Sequence, residues 1–138
     1  MDLYAQNILD RYKHPFYKDK TLVPTCSHLE ANHSCGDKVE VKVIFTNEKA
    51  SSYSFSGVGC AISMASADML GDVVQGLSAD QVLKLSKDSI YEVLGIEISE
   101  RRSKCALLSL MALQNAILGL RGEPLRSWPD YFADSFVL

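Results

Sequence analysis

From Lys104 to Arg121 the chain is apolar on nearly every helical face. Leu107, Leu108, Leu110, Met111, Leu113, Ile117, Leu118 and Leu120 do not collect on one stripe. A helix of that kind is buried on most sides, so the remaining elements have to cover it. Gly122 and Pro124 end it. At 138 residues the chain is long enough for one domain with a real core. No apolar stretch reads as long enough for a membrane span. Met1-Asp2-Leu3-Tyr4-Ala5 has neither the basic nor the apolar region of a signal peptide. A cytoplasmic protein, without a membrane partner, is the expectation. The net charge of -3, with no long basic run, argues against nucleic acid.

The covering elements are legible by their periods. Asp2 to Lys13 patterns as an amphipathic helix, with Tyr4, Ala5, Ile8, Leu9 and Tyr12 inward and Gln6, Asn7, Asp10, Arg11 and Lys13 on the polar side. His14-Pro15 stops it. Phe16 to Glu30 reads as a loop with a short edge strand near Leu22-Val23. Val39 to Thr46 alternates apolar and polar, Asn47-Glu48-Lys49 turns, and Ala50 to Ser56 returns, which makes an antiparallel hairpin. A helix then runs from Cys60 to about Gln75, with Ile62, Ala65, Met69 and Val73 inward and Asp68, Asp72 and Gln75 toward water. Gly76 closes it. Capping boxes at Ser78–Gln81 and Ser89–Glu92 open two short helices, the second ending at Gly95. Residues 1–124 are expected to form the domain. Residues 125–138 are a tail carrying Trp128, Tyr131, Phe132 and Phe136, for packing or for binding a partner.

Gly57-Val58-Gly59-Cys60-Ala61-Ile62-Ser63 joins the hairpin to its helix. Two glycines allow a sharp turn, and the cysteine lands at a helix N-terminus, where unpaired amides and the helix dipole favour a thiolate. Cys35, in Asn32-His33-Ser34-Cys35-Gly36-Asp37, precedes the hairpin, and Gly36 lets Cys35 and Asp37 face one point. Cys105 opens the last helix after Arg102-Ser103-Lys104. No Cys-x-x-Cys occurs, which argues against zinc ribbons, knuckles and thioredoxin-type sites. Three thiols and a carboxylate from four element ends suit one four-coordinate zinc or iron site. Three unrelated buried cysteines would give the same spacing. Lys104 and Arg102 either depress the Cys105 thiol or meet an acidic partner. Cys26, His28 and His33 read as bystanders.

In order along the chain, Tyr4 with Ile8-Leu9-Asp10-Arg11-Tyr12 and Pro15, Asn32 with Ser34-Cys35-Gly36-Asp37, Gly57-Val58-Gly59-Cys60-Ala61-Ile62-Ser63 with Ala65-Ser66-Ala67, and Arg102 with Lys104-Cys105-Ala106 resemble the iron–sulfur cluster assembly scaffolds of the IscU/SufU type and the NifU N-terminal domain. The resemblance implies an α+β fold: a small, mostly antiparallel three-stranded sheet packed against several helices, SufE/NifU-like. It implies that Cys35, Asp37, Cys60 and Cys105 hold Zn2+ or a transient [2Fe-2S] cluster, with Cys105 the sulfur acceptor and Lys104 and Arg102 beside it. It further implies a cysteine desulfurase as sulfur donor, apo-proteins as recipients, and a monomer or weak homo-oligomer. Arg102-x-Lys104-Cys105 resembles the SufU type, a zinc-dependent persulfide transferase. The short interval from Cys60 to Cys105 resembles the IscU scaffold instead. A scaffold is the first expectation and a zinc-dependent sulfurtransferase the alternative.

Overall fold

A computed structural model describes residues 2–132 of the chain. Asp2 caps the first helix, α1 (Leu3–Lys13), by accepting a 2.8 Å hydrogen bond from the Ala5 amide. Three antiparallel strands follow in the order β1 (Cys26–Asn32), β2 (Asp37–Thr46) and β3 (Lys49–Val58). Next come α2 (Ala61–Val74), the short α3 (Ala79–Leu83) and α4 (Lys87–Leu94). A 3-10 turn over Glu100–Arg102 leads into α5 (Ser103–Leu120), and α6 (Trp128–Phe132) closes the described chain. The fold is α+β, as expected.

α5 lies across β1 and β2, α2 packs beside it and against β3, and α1 packs outside α2. Every residue of α5 from Cys105 to Leu118 is buried. Val39, Val41 and Val43 meet it from β2, and Leu70 and Val74 from α2, all fully buried. Within the 21 residues of Glu100–Leu120, an 18-residue window of mean hydropathy 1.3 is long and apolar enough to cross a membrane, against the expectation from the sequence. That apolarity is used inside the protein, where 78% of the window is buried.

Several sequence expectations give way to tertiary partners. Cys26–Asn32 is a strand rather than a loop, and Leu22-Val23 belongs to no strand. α4 starts at Lys87, three residues before the expected box opens its first turn, with the Ser86 amide donating to Ser89 Oγ at 3.1 Å. Arg11 and Asp68, both assigned to wet faces, are buried. Arg11 Nε donates to Asp68 Oδ2 at 2.6 Å, and Arg11 Nη1 to Asp72 Oδ2 at 2.7 Å. Asp68 also accepts from the amides of Phe16 and Tyr17, at 3.1 and 2.8 Å. This holds the segment after α1 in place. Tyr17 and Asp19 then exchange backbone hydrogen bonds with Phe55, covering the outer edge of β3. Phe136 of the tail lies outside the described residues.

The buried carboxylate gives a stability prediction. Asp68→Ala removes the partner of a buried guanidinium and strands two amides, and breaking such a pair costs about 3–5 kcal/mol. Urea unfolding should show a loss of that order. A change within about 0.5 kcal/mol, the usual effect of a surface substitution, would mean that the network carries no weight.

Candidate metal centre

Strand register places the first ligand. β2 and β3 pair up to Lys38 opposite Val58, so Asp37 lies one residue beyond, at the level of Gly59. On its other side Asp37 pairs with Asn32 of β1. Glycine is required here for close approach. A Cβ on Gly57, whose φ is +146°, would sit 2.0 Å from the Lys38 carbonyl oxygen. A Cβ on Gly59 would sit 2.3 Å from Ser63 Oγ and 3.1 Å from the Asp37 carboxyl carbon. The missing side chain at Gly59 is the room in which the Asp37 carboxylate lies.

Cys60 follows as the N-cap of α2, with extended φ −74° and ψ 172°, as expected. Its carbonyl accepts from the Met64 amide and the Ser63 hydroxyl, each at 3.1 Å. Cys105 sits in the first turn of α5. Ser66 Oγ donates to the Ala106 carbonyl at 2.6 Å and so ties the Cys60 helix to the Cys105 helix. Asp37, Cys60 and Cys105 each bring one ligand atom within 4.8 Å of the others.

Cys35 stands outside that group. It is exposed in the β1–β2 turn, where its amide and that of Gly36 both donate to the Asn32 carbonyl, at 3.2 and 2.9 Å. Gly36, at φ +77°, sends Asp37 inward and leaves Cys35 outward, so the two do not face one point. Arg102 is exposed at the end of the 3-10 turn, and the negative charge of the Cys60 thiolate, with a hydrogen bond to it, holds its guanidinium still more firmly protonated. Lys104 takes another course, its ammonium 5.7 Å over the Trp128 ring. Cys26 lies buried at the far end of β1, opposite Val43, and burial pushes its thiol up to about 11. His28 is paired with Glu30 at 2.7 Å within β1, and His33 is exposed.

The two converging thiols differ. Burial raises the Cys60 thiol, but the Ser63 amide and hydroxyl and the Cys105 thiol outweigh it and bring Cys60 below its ordinary value. Burial, the Asp37 carboxylate and the negative charge at Cys60 all push the Cys105 thiol well up. Of the two, Cys60 gives up its proton first and Cys105 holds its own longer. Asp37 Oδ2 is buried and has no hydrogen-bond partner. Such an atom costs about 1–3 kcal/mol unless something fills the gap. A tetrahedral zinc with ~2.3 Å bonds to sulfur sets its ligand atoms roughly 3.8 Å apart, so the three residues fit the ion after a small adjustment. Ser63 and Ser66 are the site residues that sequence reasoning left without a role. The signal for Ser63 was its place three residues after an N-cap, where side chains reach back.

Alkylation of the metal-free protein separates these thiols. Cys60 should reach half its maximal iodoacetamide rate below the ~8.5 of a free thiol, while Cys105 stays protected through that range. Ser63→Ala should move the Cys60 midpoint upward. Equal midpoints for Cys60 in both proteins would remove Ser63 from this account.

The geometry has close counterparts. Residues 3–126 match the family described as the NifU-like N terminal domain. The zinc-dependent sulfurtransferase SufU of Bacillus subtilis is 32% identical over 133 residues, spanning 83% of this chain and 89% of that protein. The iron-sulfur cluster assembly scaffold protein IscU of Streptococcus pyogenes is 29% identical over 133 residues, spanning 83% of this chain and 82% of that protein. The crystal structure of a putative scaffold protein for the SUF system from Fervidobacterium islandicum superposes with a TM-score of 0.66 at 26% identity, covering 81% of this chain and 94% of the other. A match over nearly the whole described fold, with Cys60 and Cys105 brought together beside Asp37, makes this chain a member of the NifU-like N-terminal domain family of iron–sulfur cluster assembly proteins.

Proposed function

We propose that this protein accepts sulfur from a cysteine desulfurase and assembles or passes on a [2Fe-2S] cluster, using Cys35, Asp37, Cys60 and Cys105. The observation that supports it is the convergence of Asp37, Cys60 and Cys105 within 4.8 Å, with one carboxylate oxygen buried and unpaired. The fourth ligand is Cys35, two residues from Asp37 on a turn hinged at Gly36. Soft thiolates suit iron and sulfur, and the hard Asp37 oxygen is the weakest bond in the set. A cluster that must leave again needs one such bond.

Sulfur transfer follows from exposure. Cys35 is the thiol an incoming desulfurase meets first. Its thiolate attacks the outer sulfur of the donor's persulfide, and the electron pair of the broken S–S bond returns to the donor cysteine. Cys105, which is 1% exposed, accepts sulfur once the turn has carried it inward. Arg102 stands beside Cys60 and Cys105 and balances the negative charge that the transfer concentrates there. Lys104 holds a second positive charge at the entrance. All four cysteines are free thiols, the state a cytoplasmic site needs. Delivery is to recipient apo-proteins, from a monomer or a weak homo-oligomer.

A zinc-dependent sulfurtransferase is the second reading. It is favoured by Arg102 beside the thiols and by the 32% identity to a protein of that description. Bound zinc would keep the Cys60 and Cys105 sulfurs as thiolates, and Asp37, as the most replaceable ligand, would open a position for Cys35.

Two measurements test these readings. After anaerobic reconstitution with iron and sulfide, Asp37→Ala should lose its cluster to a chelator more slowly than the wild type. If zinc is structural, the same change should weaken zinc binding and lower the melting temperature, because metal affinity there is folding free energy. Faster cluster loss from Asp37→Ala would rule out the labilising role. With a desulfurase and cysteine, Cys35→Ser should abolish persulfide on the protein, and Cys105→Ser should abolish stimulation of the desulfurase while keeping the fold. Full stimulation by Cys105→Ser would remove it as an acceptor.

A further inference from the structure

Beside Cys35, between the β1–β2 turn and the start of α5, lies a cavity of about 490 Å3. That volume is in the range of small-molecule sites. Asn32 and Cys35 form one side, Glu100, Arg101 and Lys104 the other, and Phe132 closes it from α6. We propose that this cavity binds a small thiol bearing carboxylates and an amino group, which takes the sulfane sulfur from Cys35. The transfer step rests on the sulfur-accepting reading above; the binding site does not.

The wall chemistry defines the ligand. Arg101 and Lys104 put two cations in a chain whose net charge is -3, and cations of this kind recognise carboxylates. Glu100 on the same wall suits an ammonium. Asn32 is only 3% exposed, and its Oδ1 accepts from the Ser34 amide at 3.3 Å. Its side chain borders the cavity and adds a polar group to that wall. A neutral thiol would answer none of these groups, and a cationic one would meet two like charges.

The Lys104 and α6 side of the cavity is also fixed in advance. The Trp128 ring lies 5.7 Å from the Lys104 ammonium and holds it at the rim. Asn115 clamps the chain before α6, with the Arg126 amide donating to its Oδ1 at 2.7 Å and its Nδ2 donating to the Arg126 carbonyl at 3.0 Å. The Tyr131 hydroxyl donates to the buried Gln114, and the Lys87 ammonium lies 6.0 Å over the Phe132 ring. A preformed cavity avoids the ordering cost that a loop would incur on binding.

With the ligand seated, its thiolate attacks the outer sulfur of the Cys35 persulfide. A new S–S bond forms to the ligand as the Cys35 S–S bond breaks, and that electron pair returns to Cys35 as a thiolate. The product is the persulfide of the small thiol, which keeps the proton on its terminal sulfur. No oxidant or reductant enters.

The test has two arms. In the first, metal-free and sulfur-free protein is titrated with S-methylglutathione, which carries the carboxylates and amine but cannot react. Trp128 is the only tryptophan in the chain and reports occupancy by fluorescence, with calorimetry alongside. The expected result is saturable binding, weakened about tenfold or more in Arg101→Gln and in Lys104→Gln, as the loss of a charged hydrogen bond predicts. In the second arm, protein carrying persulfide on Cys35, installed with polysulfide, is mixed with glutathione, 2-mercaptoethanol or cysteamine at matched thiolate concentration. Release should saturate with glutathione alone. Absent binding, or binding unchanged in both variants, overturns the cavity assignment and leaves the sulfur reading standing. Binding without any persulfide on Cys35 overturns the transfer step and places the fault in the sulfur reading.

Discussion

Fourteen consecutive buried residues on one helix set the terms for everything around them. α5 cannot stay in water, and a three-stranded sheet covers only one of its sides, so α2, α3, α4 and α6 complete the enclosure. Each buried leucine truncated to alanine would cost about 2–5 kcal/mol, which is why the arrangement tolerates little displacement. The site inherits that rigidity. Cys105 belongs to the first turn of this helix, Cys60 caps the helix packed beside it, and Asp37 starts the strand that runs beneath. Three groups that repel or desolvate one another are held together because the elements carrying them are fixed for other reasons.

The same packing explains where polar residues are allowed inside. Gln114 and Asn115 are fully buried on α5, yet each is satisfied by chain ends and turns rather than by water. Ser66 satisfies the Ala106 carbonyl, and Asp68 collects a guanidinium and two amides. Against that background two unpartnered atoms stand out among the described residues, Ser109 Oγ on α5 and Asp37 Oδ2. Native interiors leave few such groups, and those they leave tend to have a use. The position of the Asp37 carboxylate beside two thiols makes a bound cation its natural use.

Legibility in the sequence followed the strength of local pattern. The β2–β3 hairpin, the Gly57–Cys60 turn and α5 were readable because alternation, glycine pairs and unbroken apolarity are local signals. β1 was not, because its inward positions are Cys26, His28, Glu30 and Asn32, while Leu29 faces outward. His28 and Glu30 are half-buried, held by each other and, for Glu30, by Asn115 eighty-five positions away. Arg11 and Asp68 misled for the same reason, since each is polar alone and buried only as a pair. Within the site, Cys60 and Cys105 beside Asp37 were legible as element ends. The outward turn of Cys35 was not, because it depends on hydrogen bonds of Asn32 within one tight turn.

The unequal placement of the ligands bears on what the site is for. A storage site would gain from four preformed ligands, since affinity lost to rearrangement is affinity wasted. Here three candidate ligand atoms converge, while the Cys35 thiol stands outside on the Gly36 turn. One of the three is a carboxylate, hard among soft sulfurs, and one of the two thiols keeps its proton until a cation displaces it. Each feature lowers the affinity of the resting site, and each speeds exchange through it. The sulfur-passing role proposed above would need rate in both directions more than affinity. On the function proposed above, Cys60 and Cys105 on their packed helices define where the cargo sits, and Cys35, exposed on its turn, meets what enters and leaves.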